Sequence, residues 1–375
     1  MLTSQERKPA MTKIPFESTD EQGVGAEELL SVAGCSLGSL SSALLDGKTT
    51  AKSVAEAHGM SPKRLHKAMR KAVCSPWQDW TRNAVSLCES KTGLSALITD
   101  DTVLGHPSGK VLPFAKVLFH QGWKRPMHSQ NLVALAWTDG TRVILLGLRH
   151  WVPDSGVTKH QILREMLDEV IASGLKAEWL LFDGWYLTPE IVRWCAENRI
   201  HWASRLRRDR LVETDEGPLD ERWEYRTDEL AAGFPAEAYR WYPQFRKYAK
   251  GIEVTTTLCP APLKVALVKP RYHASLDDMK FWVCSAPVDV PTLLHLTRLR
   301  WRIEVVFRYL KQHLRLETCI IRTPEILTTW WNLLWYTYNA VATHQDFGTN
   351  WASAKLLWRT RSNPHATMHS ALGMA

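Results

Sequence analysis

No Cys-x-x-Cys pair occurs among the seven cysteines, at positions 35, 74, 88, 195, 259, 284 and 319. An odd count spaced in this way argues against a disulfide framework and a thiolate zinc site, and fits a reduced, cytoplasmic setting. The start, Met-Leu-Thr-Ser-Gln-Glu-Arg-Lys-Pro, has no apolar run of signal-peptide length. The most apolar later stretch, residues 330–342, is short and broken by Asn and Thr. Neither export nor a membrane span is expected. No internal repeat or low-complexity tract stands out. Excess charge is modest: 47 Lys+Arg against 39 Asp+Glu leave +8 and a pI near 9.1, which favours a polyanionic partner through local clusters rather than through the total.

Tryptophan, by contrast, is abundant. Eighteen are spread from Trp77 to Trp358; most are expected as core or half-buried anchors, with one or two available to stack on nucleic-acid bases. At 375 residues and 45% hydrophobic content the chain can bury a full core and divide into two or three domains.

Composition and hydrophobic period suggest the divisions. Residues 1–26 are polar and aperiodic and read as a mobile tail. Residues 27–90 read as helical. Within them 52–58 predict a short helix, Gly59-Met-Ser-Pro62 a turn, and 63–72 a second helix carrying Lys63, Arg64, Lys67, Arg70 and Lys71. Ser61 as cap and Pro62 at the first position give this pair a helix-turn-helix layout suited to DNA; a plain helical hairpin with a solvated basic face reads equally well.

From residue 91 to 210 the period alternates. Strands are expected at 93–99, 131–138, 141–149, 177–182 and 200–205, with Asp139-Gly140 as a two-residue hairpin turn and helices at 160–173 and 189–198. Residues 211–290 read as a β-rich insertion, 291–345 as the second part of the core, and 346–375 as a C-terminal tail. The fold class is therefore α/β, a mixed sheet with flanking helices, interrupted by the insertion and preceded by a helical domain.

The best chemical clue is the run Thr297-Arg-Leu-Arg-Trp-Arg-Ile-Glu304-Val-Val-Phe-Arg-Tyr-Leu-Lys311. On one helix, Thr297, Arg300, Glu304, Arg308 and Lys311 share a sector of roughly 80°, beside an apolar sector of Leu296, Leu299, Ile303, Val306, Phe307 and Leu310. One carboxylate among cations suits metal and phosphate held together, although such a stripe alone is more often a solvated face. Asp100 follows the first apolar strand and Asp183 ends a later one. Three such oxygen donors brought together would suit two Mg²⁺ ions in phosphoryl transfer.

Taken together, Asp100-Asp-Thr102, Asp183-Gly-Trp-Tyr186 and the Arg300, Glu304, Lys311 spacing resemble the DDE transposases of bacterial insertion sequences. Within them they resemble the IS-four-like group with a Tyr-x2-Arg-x3-Glu-x6-Lys signature. The resemblance covers roughly residues 94–345, the insertion weakly. It implies a ribonuclease H-like core in which Asp100, Asp183 and Glu304 are catalytic and hold two Mg²⁺ ions, with Mn²⁺ as a substitute. Arg300 and Lys311 would grip phosphates of the transposon end, and Arg308 would assist or pair with Glu304. Arg205, Arg207 and Arg208 form a candidate backbone clamp, with a solvated loop as the alternative. Trp223, Trp241 and Trp282 are candidate base-stacking surfaces in the insertion.

The implied activity is cutting at terminal inverted repeats and transfer of 3′ ends to target DNA, by a homodimer acting on double-stranded DNA in the bacterial cytoplasm. Alternatives are an inactive, DNA-binding descendant and a ribonuclease H-like structure-selective nuclease. Two positions depart from the pattern: Thr297 stands where the signature has tyrosine, and Asp101 rivals Asp100, which better satisfies Asp-x-Thr.

Overall fold

The computed structural model of the chain describes residues 37–48, 50–72, 77–107, 109–218, 223–344 and 350–362. The expected tail at 1–26, together with Cys35 and Cys74, lies outside the described residues.

Among the described residues four helices come first: α1 (Leu37–Leu45), α2 (Ala51–Ala57), α3 (Pro62–Ala72) and α4 (Trp77–Val85). Thr50 caps α2 by accepting from the Ser53 amide at 3.0 Å, and Gly59, at φ +62°, turns the chain toward Pro62. On α3 the Leu65, Ala68 and Met69 side chains are buried while Lys63, Arg64, Lys67 and Arg70 are exposed, as the helical period requires.

The core sheet then forms from β1 (Ala96–Gly105), β2 (Lys116–His120), β3 (Arg125–Thr138), β4 (Val143–Trp151), α5 (Lys159–Ala172), β5 (Trp179–Phe182), α6 (Pro189–Glu197) and β6 (His201–Leu206). Thr158 and Thr188 cap α5 and α6 through the Gln161 and Ile191 amides, and Pro189 opens α6. β1 pairs antiparallel with β3, and β3 with β4; β5 pairs parallel with β1, and β6 with β5. Three antiparallel strands followed by two parallel ones reached through helices constitute the expected ribonuclease H-like arrangement.

Several elements differ from the sequence reading. β2, which pairs with the start of β3, was not expected, and the hairpin loop after β3 spans residues 139–142 rather than two residues. The region after β6 holds β7 (Leu211–Glu213), β8 (Glu224–Arg226), α7 (Thr227–Gly233), β9 (Arg240–Tyr242), β10 (Lys247–Thr256), β11 (Cys259–Lys269) and β12 (Lys280–Cys284). It is β-rich, yet it does not form a separate sheet. β12 pairs antiparallel with β6, so that one sheet of twelve strands runs β2-β3-β1-β5-β6-β12-β11-β10-β7-β8, with β4 on β3 and β9 on β10.

The helix expected to carry Glu304 is two helices, α8 (Val290–Arg300) and α9 (Arg302–Gln312), meeting at Trp301. Finally α10 (Pro324–Ala342) and α11 (Trp351–Ser362) end the described residues, α11 lying within the stretch read as a tail. Trp351 explains its docking, since the ring is buried and stacked on Tyr309 at 4.7 Å and Tyr338 at 5.6 Å.

Three of the eighteen tryptophans sit in α10, where Trp330, Trp331 and Trp335 are buried. This helix also receives α1 and α3, through a buried Ser41–Thr337 hydroxyl contact at 2.9 Å and a 2.8 Å bond from the Thr329 hydroxyl to the Met69 carbonyl. Its Asn339 closes the open side of β4: the amide oxygen accepts from Leu145 N–H at 2.8 Å, and the amide nitrogen donates to the Leu145 carbonyl at 2.7 Å. Asn339→Leu orphans both buried backbone groups and is expected to cost about 2–4 kcal/mol, read as a lower urea midpoint with an unchanged slope. An unchanged midpoint would show the contact to be incidental. Among the described residues no helix is long and apolar enough to cross a membrane.

Candidate active site

Adjacent residues on a strand point to opposite faces, and this separates Asp100 from Asp101. Asp101 belongs to a closed network. Its Oδ2 accepts from Lys159 Nζ at 2.7 Å and Asn131 Nδ2 at 3.0 Å, and its Oδ1 from the Tyr186 hydroxyl at 3.4 Å. The buried Tyr186 phenol is pushed far above its usual pKa, by burial first and by the neighbouring carboxylates next. Asp101 is thus neutralised by a lysine and ties α5, β3 and the turn after β5 together. Sequence reasoning missed Lys159 and Asn131, which nothing local marks; Tyr186 was visible in the Asp183 motif without a role.

Asp100 has a different environment. Oδ1 accepts from the Asp101 amide at 2.8 Å, and Oδ2 meets Arg300 Nη1 at 3.2 Å. Burial pushes its carboxyl up to about 6; Arg300 and the Asp101 amide pull it down, while the Asp101 and Asp183 charges push it further up. β1 and α8 therefore meet at this pair. Negative charge is in surplus here even with a guanidinium present.

Asp183 follows directly on β5 and precedes the short 3-10 turn Gly184–Tyr186, from which its side chain accepts no capping bond. Gly184 is needed at this point, because a Cβ would stand 2.7 Å from the Arg205 carbonyl of β6. Glu304 lies on the first turn of α9, with Oε1 3.6 Å from Arg300 Nη2. Arg300 thus lies between Asp100 and Glu304. Its residue is 9% exposed, and its Nε is buried with no hydrogen-bond partner.

Among the described residues no group of three or more His, Cys, Asp or Glu side chains is arranged to hold a metal ion. The donor chemistry nevertheless fits a hard divalent cation: three carboxylates offer oxygen ligands, and at Asp100 burial disfavours a charge that has no cation beside it. In the described arrangement one guanidinium bridges two of the three.

The remaining expected contacts fare unevenly. Lys311 Nζ donates to the Val103 carbonyl of β1 at 2.9 Å, and burial lowers its pKa. It braces α9 on the strand rather than projecting freely. Arg308 is exposed and makes no ion pair with Glu304 among the described residues. Thr297 turns its hydroxyl back to the Leu294 carbonyl at 2.8 Å. Arg302 donates to the Thr141 carbonyl at 2.7 Å, fastening the start of α9 to the β3–β4 loop. Lys63, Arg64, Lys67 and Arg70 sit on the exposed face of α3.

Beside Asp183 opens a cleft of about 880 Å³, whose walls include His160, Trp185, Thr188, Arg205, Arg208 and Arg210. Arg207 pairs with Asp209 at 2.9 Å and Arg208 with Asp277 at 2.8 Å, both exposed pairs of the weak kind; Arg205 is exposed. Trp185 is 65% exposed, backed by the His160 ring at 6.2 Å, and its carbonyl meets His160 Nε2 at 3.0 Å. An indole this open beside a carboxylate was not singled out in the sequence. Of the insertion tryptophans, Trp223 is exposed, Trp241 packs on Tyr248 at 4.8 Å, and Trp282 is half-buried in β12 opposite Arg205.

The family profile described as Transposase DDE domain matches residues 91–340. No curated protein matches the sequence. A solved piggyBac transposase synaptic complex with hairpin DNA is similar over 98% of this chain and 76% of that chain, at 12% identity and a TM-score of 0.46.

Proposed function

The chain belongs to the transposase DDE domain family, and from that membership we propose that it cuts DNA at the terminal inverted repeats of an insertion sequence and transfers the 3′ ends to target DNA. The observation that carries this reading is the meeting of Asp100 and Glu304 on Arg300, with Asp183 near enough to raise the Asp100 pKa. The IS-four-like signature is the finer affiliation, supported by the Arg300, Glu304 and Lys311 spacing.

In this reading Asp100, Asp183 and Glu304 hold Mg²⁺, or Mn²⁺ in its place. When bound, the metal supplies Lewis acidity at the scissile phosphate and a water or hydroxyl acidic enough to attack. The protein's own groups do the rest. Arg300 offers a planar, two-pronged donor to a phosphate, and Arg308 stands exposed on the next turns to join it. Lys311 holds α9 on β1 through the Val103 carbonyl, and so fixes the height of Glu304 against Asp100. The Asp101–Lys159–Tyr186 network fixes the backbone on either side of Asp100 and Asp183.

The cleft beside Asp183 is the proposed path of the strand, with Arg205, Arg207 and Arg208 along its phosphates. Residues 27–90 are the proposed DNA-binding region, with Lys63, Arg64, Lys67 and Arg70 facing the duplex; 91–210 and 291–345 form the catalytic core, with 211–290 inserted. A cytoplasmic homodimer bringing two ends together completes the proposal.

The test is a cleavage and joining assay with Mg²⁺ or Mn²⁺ on DNA carrying the repeats that flank the gene. Nicked ends without joined products would favour a structure-selective nuclease. Specific binding with no nicking would favour a DNA-binding descendant, a reading to which the inward-turned Thr297 hydroxyl lends weight. Trp185→Ala is expected to weaken binding of a fluorescein-labelled dT12 strand by about 1–3 kcal/mol through lost stacking, while Trp185→Phe retains most of it. Equal anisotropy titrations for the alanine variant and the wild type would remove Trp185 from the path.

A further inference from the structure

We propose that Arg300 is an internal counter-ion that competes with the divalent metal for Asp100 and Glu304, and that DNA relieves the competition by drawing its guanidinium onto a phosphate. The inference rests on reading the three carboxylates as metal-holding. Two different nitrogens of one guanidinium reach the two acids, Nη1 at 3.2 Å from Asp100 Oδ2 and Nη2 at 3.6 Å from Glu304 Oε1. A metal held by these two acids would draw on the same negative charge, and a guanidinium and a dication repel each other at such range. Arginine and metal therefore exclude one another from this pair of acids.

A second observation marks the position as one of two. Arg300 Nε is buried and has no partner. A guanidinium resting permanently here would leave that donor unsatisfied, which native interiors largely avoid. A phosphate accepts from Nε and Nη together in the two-pronged geometry, so departure toward DNA satisfies the orphan and frees both acids in one movement. Arg300 also ends α8 at the break before the exposed Trp301, where the side chain needs no unwinding of α9 to swing. Linkage makes the effect reciprocal: if DNA raises metal affinity by a factor, metal raises DNA affinity by the same factor.

The experiment is a Mn²⁺ titration of the full-length protein, followed by the electron paramagnetic resonance signal of free Mn²⁺. Wild type, Arg300→Gln and Asp183→Asn are compared with and without a 20-base-pair duplex, and duplex alone is subtracted. Without DNA, Arg300→Gln is expected to bind Mn²⁺ at least about fivefold more tightly than wild type. The duplex should tighten Mn²⁺ binding to wild type by a similar factor and leave Arg300→Gln unmoved. Should that variant fail to fold by circular dichroism, Arg300→Lys, which cannot span both acids, is expected to show a smaller gain of the same sign.

Mn²⁺ affinity unchanged or weaker in the folded variant, with Asp183→Asn abolishing the site, would overturn this inference and leave the proposed function standing. Mn²⁺ binding indifferent to Asp183→Asn would overturn the carboxylate reading itself, and this inference with it.

Discussion

Glu304→Gln and Asp183→Asn are each expected to lower divalent-metal-dependent cleavage at the element's ends by at least about a thousandfold, equivalent to about 4 kcal/mol of transition-state stabilisation. Both changes keep side-chain volume and remove only the charge, so the loss reports the chemistry rather than packing. Asp183 makes no cap bond to the turn that follows it, and Glu304 contributes one partly exposed pair at 3.6 Å, so neither substitution should move the urea midpoint much. Initial rates on terminal-repeat DNA, with circular dichroism as the fold control, are the measurement. A folded variant that cleaves as fast as wild type would sink the assignment of that residue.

The second large effect is on stability. Asp139 is fully buried at the head of the β3–β4 hairpin, and its Oδ2 meets Arg142 Nε at 3.2 Å and Nη2 at 3.1 Å. Its Oδ1 accepts from the Thr141 amide and hydroxyl and the Arg142 amide. Arg142, itself buried, also donates to the Glu89 carbonyl. Arg142→Ala leaves a buried carboxylate without its counter-charge and is expected to cost about 3–5 kcal/mol.

Burial pushes the Asp139 carboxyl up, but the bonds from Arg142 and Thr141 outweigh it and hold the group below its ordinary value of 3.8. A depressed folded-state pKa contributes stability above the unfolded value, lost as pH falls through the folded one. The wild-type advantage should therefore be complete at pH 7 and shrink only below about 4. Urea unfolding of both proteins at pH 7 reads the cost, and coincident curves would refute it. The loss should also reach the site, because Arg302 hangs on the Thr141 carbonyl two residues before Glu304.

Local chemistry in the sequence located most helices and strands of the core to within a few residues. Capping threonines, a proline after Thr188 and apolar runs are signals carried by the segments themselves. The break at Trp301 carries no such signal, since neither proline nor glycine occurs there and the apolar stripe continues through it. β2 and the pairing of β12 with β6 depend on partners far away in the chain. The site was legible as residue types and spacing. Its electrostatics were not: Arg300 lying between two acids, Lys311 spent on a backbone carbonyl and Asp101 neutralised by Lys159 are outcomes of packing between distant elements. Trp185 stood in a motif already quoted, and only its exposure distinguishes it from the buried indoles of α10.

The ladder from β6 into β12 has a mechanical consequence. Phe281 to Cys284 register against Leu206 to Ala203, and β6 in turn registers against β5, the strand directly before Asp183. Residues 211–290 therefore cannot pivot against the strands that lead to Asp183 without breaking backbone hydrogen bonds, and cutting them out would bare an unpaired edge prone to sticking to other chains. Any load on this far wing is delivered through one stiff plate toward the aspartate beside its centre, so replacing these strands would have to preserve the rungs of that junction before any side chain mattered.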